Sequence, residues 1–399
     1  MKGWQFQRFV NLKGQFIVGN IRYLTAGESH GKGLVGILEG IPAGLKISAK
    51  DINVDLARRQ LGYGRGGRMK IEKDRAEIIS GVRNGLSMGS PISLMIENKD
   101  WANWKDEMSI ESMNPEPEHV TVPRPGHADL AGHYKFGHKD LRNVIERSSA
   151  RETAMRVGLA AVAKLLLSNC GINIGSHVIS INGARLDSPV ENLPASEINK
   201  LADKSRVRCI DEEASEEMIL AIKKAVNNKD SVGGVFEVVA DGVMPGLGSY
   251  THWDRKLDGR IAKAVMSIPA IKGVEVGPAF HNAALFGSEV HDEILPGDGG
   301  DYKRTSNRAG GLEGGVTNGM PVIVRAAMKP ISTLRKPLRS VDLATGKEVE
   351  SRYERSDVCA VPAAAVIGEA MLALVLADAL LEKFGGDSME ELLKRVPKQ

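Results

Sequence analysis

Apolar positions recur along this chain at two spacings, and each spacing predicts a different element. Met155, Leu159, Val162 and Leu166 lie three or four residues apart, the repeat of one helix face. They predict a long helix that stops at the glycine of Cys170-Gly171. Ser149 and Glu152 stand before it in the order of a capping box, and Ser48 caps a second predicted helix over residues 48–60. Short apolar runs predict strands instead. IRYLTAG and LVGILEGIP, joined by GESHGKG, read as two strands around a glycine-rich turn with Glu28, Ser29 and His30 at an exposed tip. Alternating residues predict further strands over 78–97, turning at Asn84-Gly85, and over 171–183, 233–243 and 321–330. A polar helical region over 196–229, a helix over 254–266 and an apolar helix over 362–384 complete the pattern. The stretch from Asn98 to Glu118, with Trp101 and Trp104, reads as irregular.

No repeat, charge run or low-complexity linker divides these elements. Glycine loops bearing Arg, His or Ser recur from one end to the other, so one site is expected to draw on all of them. This favours a single interleaved α+β domain over residues 21–384, with an extension over 1–20 and a short amphipathic tail over 385–399.

Composition narrows the partners. Lysine plus arginine (53) nearly balances aspartate plus glutamate (50) and aromatics are 5%, which disfavours nucleic acid. Basic residues cluster locally instead, which points to a small anionic ligand. Cys170, Cys209 and Cys359 form no CxxC pair, as expected of free thiols in a reducing compartment. The longest apolar run, Val361–Leu381, is broken by Glu369 and Asp378, so no membrane span is expected. With no signal-peptide pattern at the N-terminus, the expected location is cytoplasmic.

The candidate chemistry concentrates in two places. The first is Pro123–Gly158, which holds His127, His133 and His138 just after His119, together with Arg124, Arg142, Arg147, Arg151 and Arg156. The histidine spacings of 8, 6 and 5 residues give no HxxxH face and lack cysteine partners, so no metal site is expected. Arg147 and Ser148 are predicted at a helix N-terminus, where unpaired N–H groups and the macrodipole favour an anion. The second place is the run after the first helix, with Arg58, Arg59, Arg65, Arg68 and Lys70. Residues 62–67 formally fit GxGxxG, but a helix precedes them where a dinucleotide fold needs a strand. An arginine-bearing loop folding over an anionic substrate fits better, because guanidinium bonds carboxylate or phosphate bidentately. His30 reads as a ligand, a general acid or a loop histidine held by a carbonyl. Asp357, just ahead of the last long helix, reads as a dipole partner or a catalytic carboxylate. Residues alone also leave room for another phosphate-handling enzyme, though GxxxxGK[ST] is missing, or for a non-catalytic anion or RNA binder.

Taken together, the strings resemble the chorismate synthase family from Ile21 to about Phe384. The motifs that carry the resemblance are RYLTAGESHG (22–31), RRQLGYGRGGRM (58–69), RPGHADL (124–130), RSSARETAMRV (147–157), GGLEGGVTNGMPV (310–322), MKPISTL (328–334) and ERSDVCAVPAA (354–364). The resemblance implies a carbon–oxygen lyase of the shikimate pathway, acting at its last common step. It would convert 5-enolpyruvylshikimate 3-phosphate to chorismate and phosphate by 1,4-anti elimination with reduced FMN. It also implies a layered sheet–helix–sheet sandwich and a homotetramer.

The implied roles fall on residues of this chain. His30 protonates the leaving phosphate, His127 stabilises the reduced flavin, and Asp357 works with the flavin N5 in taking the ring proton. Arg59, Arg65, Arg68, Arg151 and Arg355 hold the substrate. FMN falls to Arg147, Ser148, Ser149, Pro269, Ala270, Gly314, Lys329, Pro330, Ile331, Ser332, Thr333 and Arg355. Pro269 stands where the family has asparagine, so no side-chain hydrogen bond is expected there. NADPH enters only if the protein reduces its own flavin; an external flavin reductase is the expectation. His119, His133, His138, His177, His252, His281 and His291 fall outside the catalytic strings and read as structural or surface groups.

Overall fold

The computed structural model describes residues 20–67, 71–186, 193–297, 302–354 and 356–397. Strands β1 (Arg22–Ala26) and β2 (Gly33–Glu39) form the expected antiparallel hairpin, with Leu24 opposite Ile37. With β3 (Ala76–Ser80) and β4 (Ile92–Glu97) they make a four-stranded sheet in the order β1-β2-β4-β3. Leu34, Leu38, Ile92, Leu94 and Ile96 are fully buried on one face, while Val35, Ile37 and Met95 lie on the other. That alternation is what a two-residue side-chain repeat produces when one face meets a core.

A second, five-stranded antiparallel sheet has the order β8-β9-β7-β5-β6. Its strands are β5 (Asn173–Ile181), β6 (Ala184–Arg185), β7 (Gly234–Asp241), β8 (Ile271–Val276) and β9 (Val322–Met328). Mixed helices and antiparallel sheets make the chain α+β.

Five helices position the site: α1 (Ala49–Gln60), α2 (Asp129–Phe136), α3 (Arg142–Ser148), α4 (Thr153–Asn169) and α5 (Val361–Phe384). On α1, Ser48 and Asp51 form the reciprocal cap that the sequence predicts. Helix α4 packs on β2 and β4 and also on α1 and α5, while α5 packs on β5 and β7. Two glycines set how closely these layers approach. A Cβ on Gly36 would sit 2.5 Å from the Met155 sulfur, and one on Gly368 would sit 2.6 Å from the Phe236 ring. Either addition would push helix and sheet apart.

One expectation needs correction. Ser149 and Glu152 do not cap α4. Ser149 caps a 3₁₀ turn over Ala150–Glu152, accepting from the Arg151 N–H at 3.3 Å, and α4 begins only at Thr153. The Glu152 carboxylate is drawn elsewhere, to Arg156 at 2.9 Å and the Thr25 hydroxyl at 2.6 Å. Arg147 and Ser148 therefore end α3 rather than open a helix, so the N-terminal dipole argument does not apply to them. Helix α5, by length and composition alone, could cross a membrane despite its two acids. It lies in the core instead: Glu369 is fully buried, and Asp378 accepts the Ile21 N–H at 2.9 Å and bonds Arg260.

Candidate active site

At the β1–β2 tip Glu28 is exposed as expected, but Ser29 is buried and His30 half-buried. Ser29 is only 3% exposed, its N–H donating to the Glu146 carbonyl on α3 at 3.1 Å and its hydroxyl accepting from Ser149 at 3.0 Å. His30 Nδ1 lies 2.8 Å from Glu146 Oε1, and the His30 N–H donates to Glu146 Oε2 at 2.7 Å. The imidazole stacks on Trp104 with centroids 4.0 Å apart. Asn98, itself buried, donates to the tip carbonyls of Glu28 and Gly31 and accepts from Arg151 Nε at 2.8 Å. His30 is thus held by a carboxylate, not by a backbone carbonyl.

His127 has a parallel arrangement. Its Nδ1 lies 2.5 Å from the fully buried Asp129, at the start of α2. Arg124 clamps the same carboxylate through its backbone N–H and its guanidinium, and also reaches His127 at 3.0 Å, the Thr333 hydroxyl at 3.1 Å and Glu354 at 3.4 Å. Burial alone would raise the Asp129 carboxyl, but hydrogen bonds and charge from His127 and Arg124 hold it far below the ordinary range. Glu354 also meets Arg142 at 3.4 Å, and Arg142 meets Glu146 at 3.4 Å. A line of alternating charge therefore runs between the two histidines. An open cleft of about 850 Å³ lies beside His127, walled by Tyr134, Arg339 and Glu348.

The arginines gather where α1 ends. Arg59 is buried, donating to Thr153 and the Ala150 carbonyl at 2.8 Å and meeting Asp74 at 3.5 Å. Arg151 bonds Asp74 and Asn98, and its Nη2 is buried without a hydrogen-bond partner among the described residues. Arg65 pairs with Asp357 Oδ2 at 3.0 Å, and Asp357 Oδ1 accepts the Gly66 N–H at 2.6 Å. Asp357 therefore closes the arginine loop rather than capping α5, whose flanking residue is Ala360. Burial lowers the Arg59 guanidinium to about 10; Asp74 opposes this, while Arg65 and Arg151 reinforce it. So dense a cluster of cations is relieved by an anion.

The loop is also sterically fixed. Gly64 has φ +84°, and a Cβ there would lie 2.9 Å from Ile222 and 3.3 Å from Cys359. Gly64→Ala is expected to destabilise the protein by about 1–2 kcal/mol and to raise the substrate KM by displacing Arg65. Denaturant unfolding and steady-state kinetics check both halves.

Of the flavin-assigned residues, Lys329, Ser332 and Thr333 lie against the His127 cluster. Lys329 Nζ donates to the Gly126 carbonyl at 2.9 Å, and Ser332 lies against Gly126, whose added Cβ would sit 3.6 Å from its side chain. Thr333 accepts from Arg124, Pro330 joins Lys329 to Ile331, and the Ile331 carbonyl accepts from Ser231 at 2.6 Å. The Ala270 carbonyl accepts the Lys329 N–H at 2.9 Å, which brings Pro269-Ala270 to the same strand end. Arg147 grips the Thr25 and Gly27 carbonyls, and the Ser148 hydroxyl is buried with no partner among the described residues. Gly314 turns the hairpin of residues 312–317 beside Tyr250, and no contact among the described residues joins it to either histidine. Arg68 and Arg355 lie outside the described residues.

A phosphate-bearing flavin fits these groups. Burial, and Lys272 beside it, lower the Lys329 amine, two lysines thus standing together at this strand end, and the orphaned Ser148 hydroxyl has a bond to give. His119 pairs with Glu116 and His133 with the His138 carbonyl, so neither enters the clusters. Sequence reasoning missed Asp129, Glu146, Asp74, Asn98 and Trp104. Only Asp129, two residues from His127, carried a local signal.

A family model described as chorismate synthase matches residues 21–381. The chain is similar to the chorismate synthase of Aquifex aeolicus (strain VF5), at 57% identity over 383 residues covering 94% of this chain and 96% of that one. It is similar to that of Alkaliphilus metalliredigens (strain QYMF), at 56% over 373 residues covering 94% and 97%. A solved structure, "Crystal Structure of Chorismate Synthase", superposes with a TM-score of 0.76 at 47% identity, covering 94% of this chain and 96% of that one.

Proposed function

The chain belongs to the chorismate synthase family, and from that premise we propose how its own residues perform the family's reaction. It is a lyase of aromatic amino acid biosynthesis that converts 5-enolpyruvylshikimate 3-phosphate to chorismate and phosphate, and it uses a flavin. We take the elimination to be 1,4-anti and the flavin to be reduced FMN. The gathering of Arg59, Arg65 and Arg151 in one buried cluster, with Asp74, Asp357 and, at 3.9 Å, Glu72 as its carboxylates among the described residues, carries the reading. A substrate with one phosphate and two carboxylates offers these guanidiniums the bidentate anionic partners they favour.

Each residue then has a task. Arg59, Arg65, Arg151 and, by motif, Arg68 and Arg355 bind and orient the substrate's anionic groups. His30 gives a proton to the leaving phosphate oxygen. When Arg65 exchanges Asp357 for a substrate carboxylate, the Asp357 oxygens become available to the ring proton. His127, oriented by Asp129, places an imidazole at the flavin. Arg147, Ser148, Ser149, Pro269, Ala270, Gly314 and the run Lys329–Thr333 hold FMN, with the positive strand end at Lys329 suited to its phosphate. When bound, reduced FMN supplies transient electron density that assists C–O cleavage in a reaction with no net redox change.

Asp357→Asn is expected to slow proton removal by about 10²-fold. Turnover with a substrate deuterated at the departing hydrogen checks it. An unchanged rate with an unchanged isotope effect would remove Asp357 from the chemistry.

The wider architecture follows the same reading. The packing of α4 and α5 between the two sheets supports a sheet–helix–sheet sandwich over residues 21–384, with an extension at 1–20 and a tail at 385–399. The apolar outer face of the first sheet, with Leu24, Val35, Ile37 and Met95, supports a homotetramer in which other copies cover it. We place the enzyme in the cytoplasm and assign flavin reduction to an external reductase rather than to bound NADPH. Anaerobic NADPH oxidation by the purified protein with FMN would overturn that assignment. Anaerobic incubation of the protein with the substrate and chemically reduced FMN tests the whole reading. Phosphate release with chorismate absorbance is expected, and neither appearing would sink it.

A further inference from the structure

Glu146 lies on α3 and is only 2% exposed, yet both its oxygens serve one residue of another element. Oε1 lies 2.8 Å from His30 Nδ1, and Oε2 accepts the His30 backbone N–H at 2.7 Å. The Glu146 carbonyl adds a third tie by accepting the neighbouring Ser29 N–H. Trp104 stacks on the ring, and Arg142, over the same indole at 5.1 Å, donates to the same Oε1 at 3.4 Å. Burial would raise the Glu146 carboxyl, but the bonds and charge of His30 and the Arg142 charge outweigh it and hold the group ionised, below its ordinary range. An ionised carboxylate only accepts hydrogen bonds, so it fixes a proton on Nδ1 and turns Nε2 away from α3.

We propose that Glu146 is the positioning residue for His30, fixing the Nδ1–H form and aiming Nε2 at the leaving phosphate oxygen. His30 then acts as an imidazolium paired with Glu146. As the C–O bond breaks, its electron pair stays on the phosphate oxygen and the Nε2 proton moves to that oxygen. The ring becomes neutral and keeps its Nδ1–H bond to Glu146. This rests on the reading of His30 as the general acid. The other charged groups around the tip are Arg142, Glu354 behind it, Arg147 on the Thr25 and Gly27 carbonyls, and Glu28 beside Gly31. Among these groups Glu146 holds the imidazole by a hydrogen bond to Nδ1.

Glu146→Gln tests the proposal, because an amide keeps the shape but can donate as well as accept. It is expected to lower kcat by about 10–10²-fold, the usual scale for a residue acting through another, with substrate KM and flavin affinity little changed. Glu146→Asp should recover part of the loss. In protein carrying ¹⁵N-labelled histidine, the His30 Nδ1 signal of a protonated, hydrogen-bonded nitrogen should shift toward the other tautomer in the Gln variant. Added to His30→Ala, Glu146→Gln should cause no further loss, since its effect passes through the ring. A wild-type kcat with an unmoved ¹⁵N spectrum would overturn the proposal, as would an equal further loss in the His30→Ala background. If His30→Ala itself turns over normally, the acid assignment falls; if it is inactive while Glu146→Gln is normal, only the positioning role falls.

Discussion

Replacing His30 with alanine is expected to lower turnover by about 10²–10⁴-fold, the usual worth of a positioned general acid, while the protein stays folded. The fold survives because Glu146 is not stranded: its Oε2 keeps the backbone N–H of residue 30 and its Oε1 keeps Arg142. The side chain lost is at a hairpin tip, outside the core that β2, β4 and α4 build. The loss should appear in kcat more than in substrate KM, since the arginine cluster that binds the anions is untouched. His127→Ala should also lose most activity, with Arg124 still closing on Asp129 so that α2 keeps its anchor. Its deficit should ease as flavin is raised if the imidazole acts at the flavin, whereas that of His30→Ala should not. Anaerobic assays across flavin concentrations separate the two. Near wild-type turnover of His30→Ala at saturating flavin, or of His127→Ala at every flavin concentration, would show that its role is wrongly assigned.

The two histidines were legible because each sits in a glycine-bearing motif, and the strands and helices were legible from apolar spacing. The carboxylates that orient the histidines were not equally so. Asp129 follows His127 by two residues, but Glu146 lies 116 residues from His30, and a tertiary pairing leaves no periodic trace. The same holds for the start of α4. Ser149 and Glu152 have the right identities for a capping box, and only the arrival of Thr25 from β1 and the Arg156 side chain shows why Glu152 turns away. The arginines make the point most sharply. Arg58 and Arg59 read as equal members of one basic run. On α1, however, adjacent residues point about 100° apart, so one reaches the core and the other the site. Sequence sees the charge but not the direction.

Glu369→Gln is expected to destabilise the protein by about 3–5 kcal/mol, although residue 369 belongs to no substrate or flavin cluster. Glu369 is fully buried on α5. It receives both terminal nitrogens of Arg58 at 2.8 Å, Lys164 from α4 at 2.9 Å and the Ser176 hydroxyl from β5 at 2.6 Å, with Arg208 at 3.5 Å. Asp55 and Asp203 supply the other carboxylates, Asp55 to Arg58 and Lys164, and Asp203 to Arg58 and Arg208. Three cations thus face three anions, and neutralising the central anion leaves buried positive charge unpaired. The penalty is chiefly that exposed imbalance rather than the net worth of the pairs. Replacing Glu369 and Lys164 together by apolar residues removes one charge of each sign and leaves Asp55 with Arg58, and should therefore cost less than the single change.

The pH dependence has a definite sign. Burial opposes ionisation of Glu369, but Arg58 and Lys164 outweigh it and depress its carboxyl far below the ordinary 4.5. The contribution is complete above about pH 4.5 and declines as the pH falls below it, because only the unfolded chain then takes up the proton. Wild-type stability should accordingly fall over that acid range more steeply than that of the Gln variant. The catalytic consequence follows from α1. Arg58 is the anchor that fixes the last turn of the helix, and Arg59 is the next residue, so loosening the first moves the second. Denaturant unfolding at neutral and acid pH, paired with substrate KM, tests both links. A loss below about 1 kcal/mol, the scale of an exposed ion pair, would mean that the network is solvated. A large loss with unchanged KM would mean that Thr153, Ala150 and Asp74 hold Arg59 without help from Arg58.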